Sequence, residues 1–338
     1  MLAKYNLKMP HSVFSGEDAL ENICGILEEN QVKHLAVFTD QGIRGAGLLE
    51  APMARVEESG VDTVILDDLP AEPTYAEAQK LVDQCKACGA DFIMAVGGGS
   101  VMDTAKLASI LMTDEYGIKE LLDTPTRAKK CIKTLMIPTT AGTGSEATPN
   151  AIVAVPEKQL KVGIVNTEMI ADYVILAAVM IKNLPRKIAA ATGVDALAHA
   201  IECWTSNKAN PFSDIFAIQA LDMILNNIEK ACDDPDAMDA KNQMQIASFY
   251  AGIAITLAPP PSTPSVIPWA ASTTLLTVCP TPSCWHRSCG SMSPPAGSAW
   301  RRSTTGACAV ARPLRRVRAP RLLPGWSKSS NTWISPPA

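Results

Sequence analysis

Asp195 and His199 stand four residues apart in the run TGVDALAHAIE (192–202). On a helix that spacing puts both side chains on one face, where two ligands can reach one divalent cation. Two ligands do not close a metal site, and an isolated Asp/His pair is more often a surface pair or a satisfied core pair. The other histidines add no third ligand: His11 and His34 are N-terminal, and His286 lies in a stretch of different character. Cys85 and Cys88 form C-x-x-C beside Gly89 without a second pair or a nearby histidine, and read as two ordinary thiols. Glu202 and Cys203 continue the Asp195 helix without an assigned role.

The glycines suggest a second chemistry. VGGGSVMDTAK (96–106) follows an apolar run and opens a helical pattern. In that context Gly97, Gly98 and Gly99 would let backbone N–H groups approach a phosphate at the positive end of a helix. The run is neither G-x-G-x-x-G nor a Walker loop, and a tight strand-to-helix turn has the same composition. PTTAGTGSEAT (138–148) also follows a strand pattern and is crowded with hydroxyls and glycines. Two such loops at strand C-termini fit a nucleotide crevice better than two coincidental turns. Asp40 closes HLAVFTD, where its carboxylate could accept from ribose hydroxyls and repel a 2′-phosphate, favouring NAD over NADP. A helix N-cap before Gln41 accounts for it equally well.

These residues need elements to hold them. HLAVFTD (34–40), VDTVILD (61–67), DFIMAV (91–96) and TLMIP (134–138) are strand candidates. Amphipathic stretches lie between them, such as 75–88, where Ala78, Leu81, Val82 and Cys85 share one helical face. This alternation predicts a parallel sheet covered by helices. After Leu184-Pro185 the texture changes to longer helical runs, 186–203 and 212–232, without a further strand. The expectation is an α/β nucleotide-binding domain over 1–184 and a helical domain over 185–257.

The 338 residues carry 30 basic and 34 acidic side chains, a net charge of −4, and are 47% hydrophobic. These values fit a soluble globular protein of about two domains. No run of about 18 apolar residues suggests a membrane span, and MLAKYNLKMPHSVF lacks the layout of a signal peptide. A cytoplasmic location and ten reduced cysteines are expected. The averages conceal a break: residues 259–338 contain no Asp or Glu, nine Lys and Arg, 14 of the 25 prolines and five of the six tryptophans, with neither helical nor strand periodicity. Residues 1–258 hold 21 basic against 34 acidic side chains, a net of −13.

In combination and in this order, GGGSVMDTAK, PTTAGTGSE and ATGVDALAHAIE resemble the iron-containing, group III alcohol dehydrogenases over about residues 5–257. The resemblance implies an α/β dinucleotide-binding domain plus an all-helical C-terminal domain of the dehydroquinate synthase-like kind, here truncated, with NAD(P) and Fe(II) between them. By position, Gly98, Gly99 and Ser100 match the pyrophosphate turn, with Asp103 just behind it. Asp40 matches the ribose-reading aspartate, Thr139, Thr140 and Thr143 the second cofactor loop, and Lys161 a lysine that contacts the cofactor. Asp195 and His199 match the first two iron ligands, and no catalytic residue separate from the metal ligands is implied. The implied reaction passes hydride between a carbinol carbon and nicotinamide while iron acidifies the hydroxyl, with a small primary alcohol, diol or aldehyde as substrate. Homo-oligomers are usual in the family.

The pattern then fails. The family's last two ligands are histidines, one of them in an H-x-x-x-H segment, yet 256–292 holds no histidine before His286. Ala177-Ala178 also stands where an aspartate usually follows Ile-Leu. Shifting the reading frame by one base is compatible with TTAVHALSHPLGGKYHIAH in place of PPPSTPSVIPWAASTTLLT, restoring histidines across Ser262/Thr263, Val266/Ile267 and Leu276/Thr277. A frame slip thus accounts for the missing acids and the Pro, Trp and Arg excess. It also predicts a disordered tail over 258–338, weak iron binding and little or no dehydrogenase activity. Two rivals remain: a nucleotide-binding remnant without catalysis, and a basic tail that neutralises nucleic-acid phosphates, which an accidental charge disfavours. A zinc-dependent polyol dehydrogenase would share the fold but fits the GGGSVMDTAK and DALAHAIE runs less well.

Overall fold

From Ser12 to Leu176 strands alternate with helices, most strands of the main sheet being apolar runs of four to six residues. The computed structural model describes residues 5–258 and two short strands further on. The order is β1 (Ser12–Ser15), α1 (Asn22–Glu29), β2 (His34–Phe38), α2 (Gln41–Gly45), α3 (Glu50–Ser59), β3 (Asp62–Leu66), α4 (Tyr75–Ala87), β4 (Phe92–Gly97), α5 (Gly99–Ile110), α6 (Ile118–Asp123) and β5 (Lys133–Pro138). An antiparallel hairpin, β6 (Asn150–Val155) and β7 (Leu160–Val165), precedes β8 (Tyr173–Leu176). Three long helices follow: α7 (Arg186–Thr205), α8 (Pro211–Asp233) and α9 (Met238–Leu257).

The main sheet is parallel throughout, with strand order β1-β8-β5-β4-β2-β3. Successive side chains point to opposite faces, so each strand feeds two cores. Ala36, Phe38, Ile93, Ala95 and Met136 pack on one side, and Leu35, Val37, Phe92, Met94, Val96, Leu135 and Ile137 on the other. β4 is buried at all six positions because helices cover both faces, which is why it reads as a continuous apolar run. α4 starts on a capping box in which Thr74 Oγ1 accepts from Glu77 N–H and Glu77 returns the bond to Thr74 N–H. Its expected inner face, Ala78, Leu81, Val82 and Cys85, is fully buried.

All four strand candidates form strands, and the helical runs expected at 186–203 and 212–232 are α7 and α8 with ends displaced by one or two residues. Sequence patterning passes over β1, β8 and the β6–β7 hairpin, and it does not single out α9. The last of these is the most consequential: α9 packs small residues, Ala247, Ala251 and Ala254, against α7 and α8 and also touches the loop after β5. The described residues up to 258 belong to one compact unit. Arg301–Arg302 and Cys308–Ala309 form a small antiparallel pair in a separate unit. The expected disorder of 258–338 otherwise falls outside the described residues. Among the described residues no helix is long and apolar enough to cross a membrane.

Candidate functional site

The chain runs from β2 outward to β3, returns across β2 to β4 and continues the other way to β5. The strand order therefore reverses between β2 and β4, and ligands of open α/β sheets bind in the crevice outside the strand C-termini at such a point. Asp40 follows β2, Gly97 closes β4 and Gly98 to Ser100 follow it, and Thr139 to Thr143 follow β5, so three of the expected segments lie side by side along one sheet edge.

Their individual roles differ. Gly97 ends β4 and is buried, and a Cβ there would lie 2.6 Å from Val101 Cγ2, so this glycine serves the close turn into α5. Gly98 is the extended N-cap of α5, and no side chain caps that helix, leaving its first-turn N–H groups to a ligand or solvent. The positive end of the helix dipole lies at the same place. A Cβ on Gly98 would sit 3.9 Å from Thr140 Cγ2, and one on Gly99 would sit 3.1 Å from Thr143 Cγ2, so the two loops touch. Ser100 Oγ donates to Ala71 O, bracing the turn from the neighbouring segment. Thr139 N donates to Gly97 O at 3.0 Å, while its buried hydroxyl has no hydrogen-bond partner.

Asp40 caps α2, its Oδ1 accepting from Ile43 N–H at 2.9 Å; the capping reading is thus realised, and that bond occupies only Oδ1. Asp103 is buried and spent on protein partners: it accepts from Ser145 Oγ and from Ile152 N–H at 2.9 Å, and pairs with Lys106 at 2.9 Å. Lys161 is exposed on β7 in an ion pair with Glu72 at 2.8 Å, next in sequence to the Ala71 carbonyl that holds Ser100. The hairpin edge is therefore beside the glycine turn.

On α7, Asp195 Oδ1 and His199 Nε2 are 3.8 Å apart, each side chain roughly one quarter exposed. His199 Nδ1 is buried without a hydrogen-bond partner. Burial raises the Glu202 carboxyl above its ordinary range, with His199 opposing and Asp195 adding to the shift. The pair meets the second loop through Thr192, one turn earlier: a Cβ on Gly142 would lie 2.7 Å from Thr192 Cβ. Thr192, Asp195 and His199 follow i, i+3, i+7, so one face of α7 carries both the loop contact and the Asp/His pair. Among the described residues no group of three His, Cys, Asp or Glu could hold a metal. One carboxylate oxygen and one imidazole nitrogen are donor types that divalent cations accept.

Sequence reasoning missed Lys106, Glu146 and Gln245. Lys106 is fully buried beneath the second loop, Glu146 is 2% exposed within it, and Gln245 Nε2 donates to Pro138 O at 3.1 Å from α9. Only Lys106 carried a local signal, its i+3 spacing from Asp103 inside the glycine motif.

The sequence matches the family description "Iron-containing alcohol dehydrogenase" over residues 10–178 and "Fe-containing alcohol dehydrogenase family, C-terminal" over 189–259. It is 34% identical over 229 residues to a sulfoacetaldehyde reductase of Bilophila wadsworthia, covering 66% of this chain and 59% of that protein. The fold superposes on an iron-containing alcohol dehydrogenase of Thermotoga maritima at a TM-score of 0.71 and 30% identity, covering 81% of this chain and 76% of that one. A sulfoacetaldehyde reductase of Bifidobacterium kashiwanohense in complex with NAD+ gives 0.71 at 25% identity, with 77% and 69% coverage. The chain spans about six tenths of the length of the curated relatives it matches. On the matched profiles and these likenesses, the chain belongs to the iron-containing alcohol dehydrogenase family.

Proposed function

We propose that this chain binds NAD as an alcohol dehydrogenase or aldehyde reductase of its family would, and that its turnover of small primary alcohols, diols or aldehydes is impaired because only half of the metal cage is present. The contact of Gly142 with Thr192 carries the reading, since it joins the cofactor-loop edge to the helix bearing Asp195 and His199. Laid across the strand ends, a dinucleotide would place its adenosine ribose near Asp40, its diphosphate at the first turn of α5, and its nicotinamide end at Thr139, Thr140 and Thr143. A carboxylate at the ribose favours NAD over NADP. The partly buried threonine loop and α9 screen the hydride-transfer region from water, and Asp195 and His199 orient a substrate hydroxyl at its edge. Iron, when bound, would supply Lewis acidity to that hydroxyl.

The same reading assigns 1–184 to the cofactor domain and 185–257 to the start of the metal domain, with 259–338 translated out of frame. Nucleotide sequence around codons 255–258 tests the frame slip directly. Titration of the full chain with NAD, alongside iron content and primary-alcohol oxidation, tests the rest. The expected result is saturable NAD binding, little iron and little turnover. Absence of NAD binding, or oxidation at rates ordinary for intact relatives, overturns it.

A further inference from the structure

We propose that Lys106 is a positioning residue for the nicotinamide end of the cofactor site, acting through the loop after β5 without touching the ligand; the proposal rests on the NAD reading above. Lys106 lies on α5, two turns behind Gly98, and none of its surface is exposed. Its Nζ donates to Ser145 O at 2.9 Å, Thr148 Oγ1 at 3.2 Å, Thr148 O at 3.4 Å and Asn150 O, and pairs with Asp103 Oδ1 at 2.9 Å. Asp103 accepts from Ser145 Oγ and Ile152 N–H. One ammonium and one carboxylate on α5 thus gather the backbone of 145–152.

The other end of the loop is fixed by Thr139 N–H donating to Gly97 O. Residues 139–145 therefore run between two anchors on the β4–turn–α5 unit that carries the glycine turn, with Gly142 between them packed against Thr192 of α7. The separation between that turn and Thr140 or Thr143 follows from these anchors together with the α7 contact. From the far side α9 presses on the same loop, with Thr256 Oγ1 donating to Ala147 O at 3.2 Å and Gly252 packed against Gly144.

Cohesion alone does not call for a charge here. A buried ion pair is commonly no more stabilising than apolar packing of the same volume, whereas it tolerates only arrangements that satisfy its acceptors. Lys106 selects one loop conformation, and Thr140 and Thr143 present that conformation to the ligand.

The test is titration of the full chain with ADP and with NAD, for the wild type, Lys106→Met and Asp103→Asn, with thermal melting of each. ADP needs the β2 and β4 edges, and NAD also needs the loop after β5. Lys106→Met should keep ADP affinity within about twofold and lose tenfold or more for NAD, with Asp103→Asn shifting the same way by less. Equal losses for both ligands would mean a purely structural role, and unchanged NAD affinity would mean none; either outcome overturns the proposal. If Lys106→Met does not melt cooperatively, the ADP-against-NAD comparison in Asp103→Asn decides by the same criteria. A wild-type chain that binds ADP but not NAD overturns this proposal together with the cofactor reading on which it stands.

Discussion

Gly142 and Thr192 leave no room for a side chain between them: a Cβ on the glycine would lie 2.7 Å from Thr192 Cβ and 2.8 Å from its carbonyl oxygen. Real Cβ atoms do not approach backbone so closely, so Gly142→Ala must push the loop after β5 away from α7. Overpacking of this kind costs about 1–3 kcal/mol, and it should also weaken NAD by displacing Thr140 and Thr143. Gly163 on β7 has open space where a methyl group would project and serves as the control, with Gly163→Ala expected to leave both readouts unchanged. Calorimetric titration and melting of the two variants check this, and equal behaviour would contradict a tight loop-to-helix contact.

Glu146 sits in the same loop, 2% exposed, and burial pushes its carboxyl from the ordinary 4.5 to about 7 despite the nearby Lys106. Between those values the folded chain keeps a proton that the unfolded chain has released. The contribution of this group to stability is therefore fully present below about pH 4.5, declines as pH rises toward 7 and is level above it. The span is on the order of 3 kcal/mol. Glu146→Gln should remove that component of the slope and raise the melting temperature at pH 8; a variant whose melting profile from pH 5 to 8 parallels the wild type would contradict a neutral buried carboxyl.

Much of this geometry is visible in the sequence because its causes are local. β4 declares itself as an apolar run, the glycines after it mark a turn that a side chain would block at Gly97, and the four-residue step from Asp195 to His199 is a property of any helix. Other features arise from tertiary contacts. Gly142 resembles any loop glycine until Thr192 is brought against it. Gln245 resembles a helix-surface amide until α9 folds over Pro138. Asp103 resembles a ligand-facing acid in its motif, yet its two oxygens serve Ser145, Ile152 and Lys106. β1 and β8 are too short for periodicity to separate them from loop, each having four residues.

The described thiols should react in order of exposure. Cys131 is exposed, whereas Cys85 and Cys203 are buried, and burial pushes both of these thiols up to about 12. Thiolate is the reactive form, so both burial and protonation protect them. Brief iodoacetamide treatment of the native chain followed by peptide mass spectrometry should find Cys131 labelled well before Cys85 or Cys203. Early labelling of Cys85 would mean that the α4 face is not packed as described.

The proposed metal pair gives the most direct comparison. Asp195 and His199 offer one oxygen and one nitrogen, and metal affinity falls steeply as ligands are withdrawn because the ion must keep water in their place. The present chain should therefore lose Fe(II) on dialysis, and Co(II) added to it should give weak, readily chelated absorption. Restoring the frame near codon 257 should yield a chain that retains iron through dialysis and oxidises a primary alcohol with NAD. His199→Ala in the restored chain should abolish both while sparing NAD binding, since His199 lies on α7 and not on the sheet-edge loops. Stoichiometric, dialysis-resistant iron in the unrestored chain would instead require further ligands, and the account of half a cage would then be wrong.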